Sequence, residues 1–86
     1  MRLAEDVETR SKRIIAEQFG INPEDLTYDT HLVRDLLMES LDRIELIAAF
    51  EEEFDLEIPE EEAEQNVTVG QVIEYIKKKI SSKEST

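Results

Sequence analysis

Residues 35–54 read DLLMESLDRIELIAAFEEEF, and this stretch decides how the rest of the chain is organised. A serine, Ser40, stands where an irregular segment gives way to a strongly helical run over residues 41–54. A hydroxyl at such a junction is expected to be exposed and near a helix N-terminus. Within the run, Leu41, Ile44, Ile47, Ala48 and Phe54 form one apolar stripe at helical spacing, widened by Leu46 and Phe50. So wide a stripe implies contact with more than one neighbour. Asp42, Glu45, Ala49, Glu52 and Glu53 fall largely on the opposite side.

Working outward, the charge is almost all of one sign. Between Glu39 and Glu64 there are twelve acids against Arg43 alone, so −11 of the formal −12 is concentrated here. That balance disfavours nucleic acid and anionic membrane, and favours partners that present basic surfaces. The 86 residues make one small domain. With 40% hydrophobic residues, two Gly and two Pro, the composition fits a compact helical domain better than a disordered acidic chain. Absence of Cys excludes a disulfide framework, a thiolate nucleophile and a Cys-type zinc site. The spaced Asp/Asn-Gly pattern of a calcium loop is missing too, so no specific metal site is expected. No run is long and apolar enough to span a membrane, and MRLAEDVETR at the start lacks the apolar core of a secretory signal.

On the N-terminal side, Leu3, Val7, Ile14, Ile15 and Phe19 repeat at about 3.6 residues with small Ser11 on the same stripe, which predicts an amphipathic helix. Gly20 suits the left-handed position that ends it, Ile21 can pack back, and Asn22-Pro23 forbids continuation. Asn22 is expected to cap a single turn over residues 23–26. A long loop follows, in which Leu26, Leu32, Val33 and Leu36 are expected to cover the core and His31 to serve as a hydrogen-bonding residue. Leu37 and Met38 are expected to be buried against the same loop. On the C-terminal side, Pro59 opens a short acidic helix over residues 60–64. Thr68-Val69-Gly70-Gln71 then matches a capping box, and Val69, Val72, Ile73, Ile76 and Ile80 run at helical spacing toward Lys77, Lys78 and Lys79. The polar residues 81–86 read as a disordered tail.

On the residues alone Ser40 reads either as an ordinary helix N-cap or as a hydroxyl open to modification, and the chain as a whole can be an acidic helical protein-interaction module that is never modified. A hydrolase or transferase is disfavoured, because one His with no Cys and no Gly-rich loop cannot supply nucleophile, base and oxyanion site.

Taken together, Asp35-Leu36-Leu37-Met38-Glu39-Ser40-Leu41-Asp42, Glu45-Leu46, Phe50-Glu51-Glu52-Glu53-Phe54-Asp55, Glu57-Ile58-Pro59-Glu60, Thr68-Val69 and Tyr75-Ile76 resemble an acyl carrier protein of the discrete bacterial fatty-acid type. The resemblance runs along about residues 4–80 without gaps in the spacing. It implies an all-α four-helix bundle with a long first loop and a short third helix, the acyl-carrier domain occupying residues 1–80. By the same resemblance, a dedicated phosphopantetheinyl transferase would load Ser40 with 4′-phosphopantetheine from coenzyme A. The arm's thiol would hold acyl groups as thioesters during fatty acid, polyketide or related lipid biosynthesis. Glu39, Asp42, Glu45, Glu51, Glu52 and Glu60 would form part of the surface met by basic patches on the transferase and on acyl-transfer or synthase enzymes. Leu41 and Ile44 would contact those partners or the arm. The chain would be a cytoplasmic monomer and not itself an enzyme. Where the family usually has Gly-x-Asp before the serine, this sequence has Leu37-Met38-Glu39, which removes a flexible glycine and places a longer carboxylate at the cap.

Overall fold

The computed structural model describes residues 6–84. Leu3 and residues 85–86 lie outside them, and with them the first position of the N-terminal stripe and the end of the expected tail. Four helices follow in order: α1 (Val7–Phe19), α2 (Ser40–Phe54), α3 (Glu60–Ala63) and α4 (Val69–Glu84). Among the described residues there is no strand, only an isolated bridge between His31 and Thr68. This is the all-α arrangement expected, with a long first loop and a short third helix.

The Asp6 carboxylate caps α1 by accepting from the Thr9 N–H at 2.8 Å, and that bond holds its carboxyl below the usual range. Gly20 ends the helix at φ 68°, and the Ile21 N–H returns to the Ala16 carbonyl at 3.0 Å. The turn over Pro23–Asp25 is 3-10, and Asn22 makes no side-chain cap, contrary to expectation: its carbonyl, not its amide, accepts from Asp25. The α4 capping box is present, with the Gln71 N–H donating to Thr68 Oγ1 at 3.2 Å and Gln71 Oε1 accepting from both Val67 and Thr68. Helix α4 runs through Ser81, Ser82 and Lys83, where sequence composition alone implied a tail. The Lys83 ammonium holds this last turn by donating to the Asp55 carbonyl and carboxylate, which lowers the Asp55 pKa.

The core joins Ile15 and Ala16 of α1, Leu46, Phe50 and Phe54 of α2, and Val69, Val72, Ile73 and Ile76 of α4. Phe50 and Phe54 stack at 6.0 Å, and the Arg10 guanidinium lies 4.4 Å above Phe54 while bonding Glu53 at 2.9 Å. In α2 the buried line is therefore Leu46-Phe50-Phe54. Leu41 (66% exposed), Ile44 (53%) and Ala48 face out, which corrects the stripe drawn from sequence. The first loop contributes Leu26, Leu32 and Met38 to the core, but Val33 is 42% exposed and Leu37 is 75% exposed.

Backbone bonds seat that loop. Leu32 N–H reaches the Val67 carbonyl at 2.8 Å, Val69 N–H the Thr30 carbonyl at 2.9 Å, and Gly70 N–H the Tyr28 carbonyl at 3.0 Å. Within the loop, His31 Nδ1 accepts from the Val33 and Arg34 N–H groups and Asp35 Oδ2 accepts from the His31 N–H, so His31 is the loop hydrogen-bonding residue expected. Val33 and Leu32 carbonyls then take the Leu37 and Met38 N–H groups, both at 3.0 Å. This tight return drives Leu37 to φ 61°, a left-handed conformation that a leucine adopts at a cost of about 1–2 kcal/mol. Leu37 thus points outward because its backbone is turned over, while Met38 enters the core.

Two substitutions test this account. Leu37→Gly should raise the urea midpoint by the equivalent of about 0.5–1 kcal/mol, because relief of the left-handed strain exceeds the added entropy of an unfolded glycine. A lower midpoint would show that the turn is not strained. Gly70→Ala should do the opposite although alanine favours helix, since its Cβ would meet Tyr28 Cδ2 at 2.7 Å and the Tyr28 carbonyl oxygen at 2.9 Å. Overpacking of about 1–3 kcal/mol outweighs a propensity gain of about 1 kcal/mol, so thermal melting should come down; an unchanged melting point would mean the loop yields freely.

Candidate functional site

Ser40 is the first residue of α2, not its cap. Glu39 holds the cap position in extended conformation, and the Asp42 carboxylate accepts the Glu39 N–H at 3.0 Å. The Glu39 carboxylate facing the Asp42 N–H completes a reciprocal box, so two acids share the capping of α2. This arrangement leaves the serine hydroxyl without a structural task. It is exposed and makes no hydrogen bond among the described residues. The ordinary reason for a serine at a helix start, capping, does not apply here.

Around this hydroxyl the surface is apolar in a way that a solvated face is not. Leu37, Leu41 and Ile44 all stand out from the segment that leads into and away from Ser40, each more than half exposed. Leu41 and Ile44 therefore sit where a partner or an attached group could touch them.

The structure sorts the acids into two sets. Asp42 serves the helix start; Glu51 Oε2 accepts the Ile58 N–H at 2.9 Å; Glu53 pairs with Arg10 at 2.9 Å; Glu62 accepts from the Tyr75 hydroxyl and lies 3.9 Å from Lys79. These carboxylates hold the fold together. Glu52 and Glu60 are exposed with no side-chain hydrogen bond or ion pair among the described residues. Glu45 is exposed and has only a 3.5 Å contact from Gln18. Of the acids singled out from sequence, Glu45 and Glu52 thus present one side of α2 unengaged. Glu39 and Asp42 belong to the cap, Glu51 to the α2–α3 connection, and Glu60 stands on α3.

One feature escaped the sequence reading altogether. A cavity of about 40 Å³ lies between α2, α3, α4 and the first loop, walled by Leu32, Met38, Leu46, Phe50, Ile58 and Ile76. Tyr75 closes one edge, and burial together with its bond to Glu62 pushes its phenol pKa well up. Arg43, one turn beyond Ser40, also lines the cavity, and its Nε is buried with no hydrogen-bond partner. A buried unsatisfied donor costs about 1–3 kcal/mol. From the sequence Arg43 was only the lone base in an acidic stretch. The spacing Arg43, Leu46, Ile47, Phe50 was the available signal, since it places Arg43 on the inward face.

No helix among the described residues is long and apolar enough to cross a membrane, and no group of acids or His among them is arranged to hold a metal ion. The sequence matches the family described as a phosphopantetheine attachment site over residues 12–76, from within α1 through to the buried face of α4. Domains of that family bear 4′-phosphopantetheine covalently and interact with transferases and synthase enzymes, doing no catalysis themselves. With most of its length inside the match, the chain belongs to the phosphopantetheine attachment site family and is a carrier, not an enzyme.

Proposed function

We propose that Ser40 is the residue that bears the phosphopantetheine, and that the chain carries acyl intermediates for fatty acid or related polyketide or lipid biosynthesis. The observation that carries this reading is the exposed, unengaged Ser40 hydroxyl at the head of α2. The residues around it fit the group. The first-turn N–H groups and the positive end of a 15-residue helix favour a phosphodiester at this position. Leu41 and Ile44 offer apolar surface to a pantetheine chain or to the enzyme that delivers it, and the cavity begins one turn away at Arg43. When bound, the group supplies a thiol that holds an acyl chain as a thioester, which the protein's own residues cannot do without Cys. In loading, Ser40 Oγ forms the new O–P bond as the pyrophosphate P–O bond of coenzyme A breaks. Adenosine 3′,5′-bisphosphate leaves, and the hydroxyl proton passes to a base on the transferase.

Recognition then falls to the unengaged acids. Glu45 and Glu52 lie two helical turns apart on one face of α2, and basic surfaces on the transferase and on acyl-transfer or synthase enzymes are steered along that face toward Ser40. Glu60 on α3 extends the same acidic surface, whereas Asp42 and Glu51 act on it through the fold. Under this reading the protein works as a cytoplasmic monomer.

Intact mass after incubation with coenzyme A and a phosphopantetheinyl transferase should rise by one phosphopantetheine, and Ser40→Ala should abolish the gain. Loading of the Ala variant at Ser11, Ser81, Ser82 or Ser85 would overturn the Ser40 assignment, and no loading of the parent would favour the unmodified interaction module instead. Exposed charges contribute about 0.2–1 kcal/mol each, so reversing Glu45 and Glu52 together to Lys should slow loading by roughly two- to thirtyfold at low salt and less at high salt. Circular dichroism checks that the helices persist; equal rates at low salt in the folded variant would assign docking to Glu60 or to Leu41 and Ile44.

A further inference from the structure

Six consecutive backbone N–H groups, Val33 to Met38, span the return that leads from the seated part of the first loop to α2, and four of them end on one residue. The Val33 and Arg34 N–H groups donate to His31 Nδ1 at 3.2 and 2.9 Å, and the Asp35 and Leu36 N–H groups donate to the His31 carbonyl at 2.9 and 3.2 Å. His31 is itself anchored, its N–H on Asp35 Oδ2 at 2.8 Å and its backbone bridged to Thr68 just before α4. A ring nitrogen that accepts must be unprotonated, with the proton on Nε2. The other caps of this chain use oxygen, Asp6 for α1 and Thr68 for α4. Imidazole is the side chain whose charge changes between about pH 5 and 8.

We infer that His31 is a positioning residue for Ser40 that works only as neutral imidazole: acid removes the acceptor, frees the Val33 and Arg34 N–H groups, loosens the return and slows loading. The inference rests on Ser40 being the attachment point. Protonation of Nδ1 sets a third N–H against the two that it had accepted, so attraction turns to repulsion. No other side chain bonds the Val33 or Arg34 N–H, and the cap is lost with the lone pair. The charged groups on the same turn are Arg34 and Asp35, whose carboxylate is engaged by the His31 N–H. From the start of α4 the loop meets Thr68, which does not titrate, and among the described residues no ion pair reaches the imidazole.

The test begins on the unmodified full chain labelled with nitrogen-15, titrated from about pH 7.5 to about pH 5.5, across the range in which histidine gains its proton. The Val33 and Arg34 amides should shift in step with the His31 ring, and the Leu37, Glu39 and Ser40 amides should follow. Exchange of the Val33 and Arg34 hydrogens, corrected for its intrinsic pH dependence, should quicken by roughly two- to tenfold, the scale of one hydrogen bond. His31→Asn keeps a side-chain acceptor for the same turn without a titrating group, so its amides should stay unmoved. Loading is then read as the rate of the parent relative to His31→Asn, a ratio that cancels the transferase's own response to pH. It should be near one at about pH 7.5 and fall roughly two- to tenfold at about pH 5.5. A ratio constant with pH, or Leu37, Glu39 and Ser40 amides that ignore His31 protonation, overturns the inference. Should the Asn chain fail to fold by circular dichroism, the amide titration of the parent decides alone. A parent that gains no mass at either pH refutes the Ser40 assignment, and the amide titration still decides whether neutral His31 holds the return.

Discussion

The backbone pairing between the first loop and the start of α4 is the constraint on which the other features depend. A chain this short cannot form a core from three full helices and one turn alone; it needs Leu26, Leu32 and Met38, and all three lie on irregular backbone. Irregular backbone can be buried only if its polar groups find partners. Here Leu32, Val69 and Gly70 donate to Val67, Thr30 and Tyr28, and the absence of a side chain on Gly70 lets the two segments approach. Once the loop is seated, the chain has only a short return from Leu32 to Glu39. The left-handed Leu37 and the outward Ser40 both follow from that return.

A second constraint is the concentration of acid on α2 and α3. The fold answers it by division of labour. Arg10, Lys79 and Lys83 draw Glu53, Glu62 and Asp55 into cross-links between helices, while Asp42 and Glu51 are absorbed by backbone N–H groups. What remains unengaged is narrower than the sequence implied. Along α2, α3 and their connection the acids left exposed without an ion pair or side-chain hydrogen bond among the described residues are Glu52, Glu57, Glu60, Glu61 and Glu64, with Glu45 meeting only Gln18 at 3.5 Å.

Much of the fold was legible because its signals are local. Gly20 with Asn22-Pro23, the Thr68–Gln71 box and the spacing of Val69, Val72, Ile73 and Ile76 each specify an element through chemistry within a few residues. The misreadings share a cause: they depend on contacts distant in sequence. Leu41, Ile44 and Ala48 are as apolar as Leu46 and Phe50, and only the position of the neighbouring helices decides which set is buried. Val33 and Leu37 were taken for core cover because hydrophobicity does not reveal a backbone reversal. The last turn of α4 depends on Lys83 finding Asp55, 28 residues earlier. At the site, the place of Ser40 at the head of α2 was legible from its setting, whereas the inward direction of Arg43 was signalled only by its spacing with Leu46, Ile47 and Phe50, a signal that its charge masks.

Helix α3 is a single turn with no buried residue of its own. Such a turn has little intrinsic stability, since nucleation costs more than four residues recover. It is retained by side-chain links, the Tyr75 hydroxyl and Lys79 reaching Glu62, and Asn66 bonding the Glu62 carbonyl. All of these converge on Glu62 and none on the ends of α2 or α4. The α3 side of the cavity therefore hangs on one carboxylate and on Ala63 packed against the core, where the α2 and α4 sides are held along whole helices.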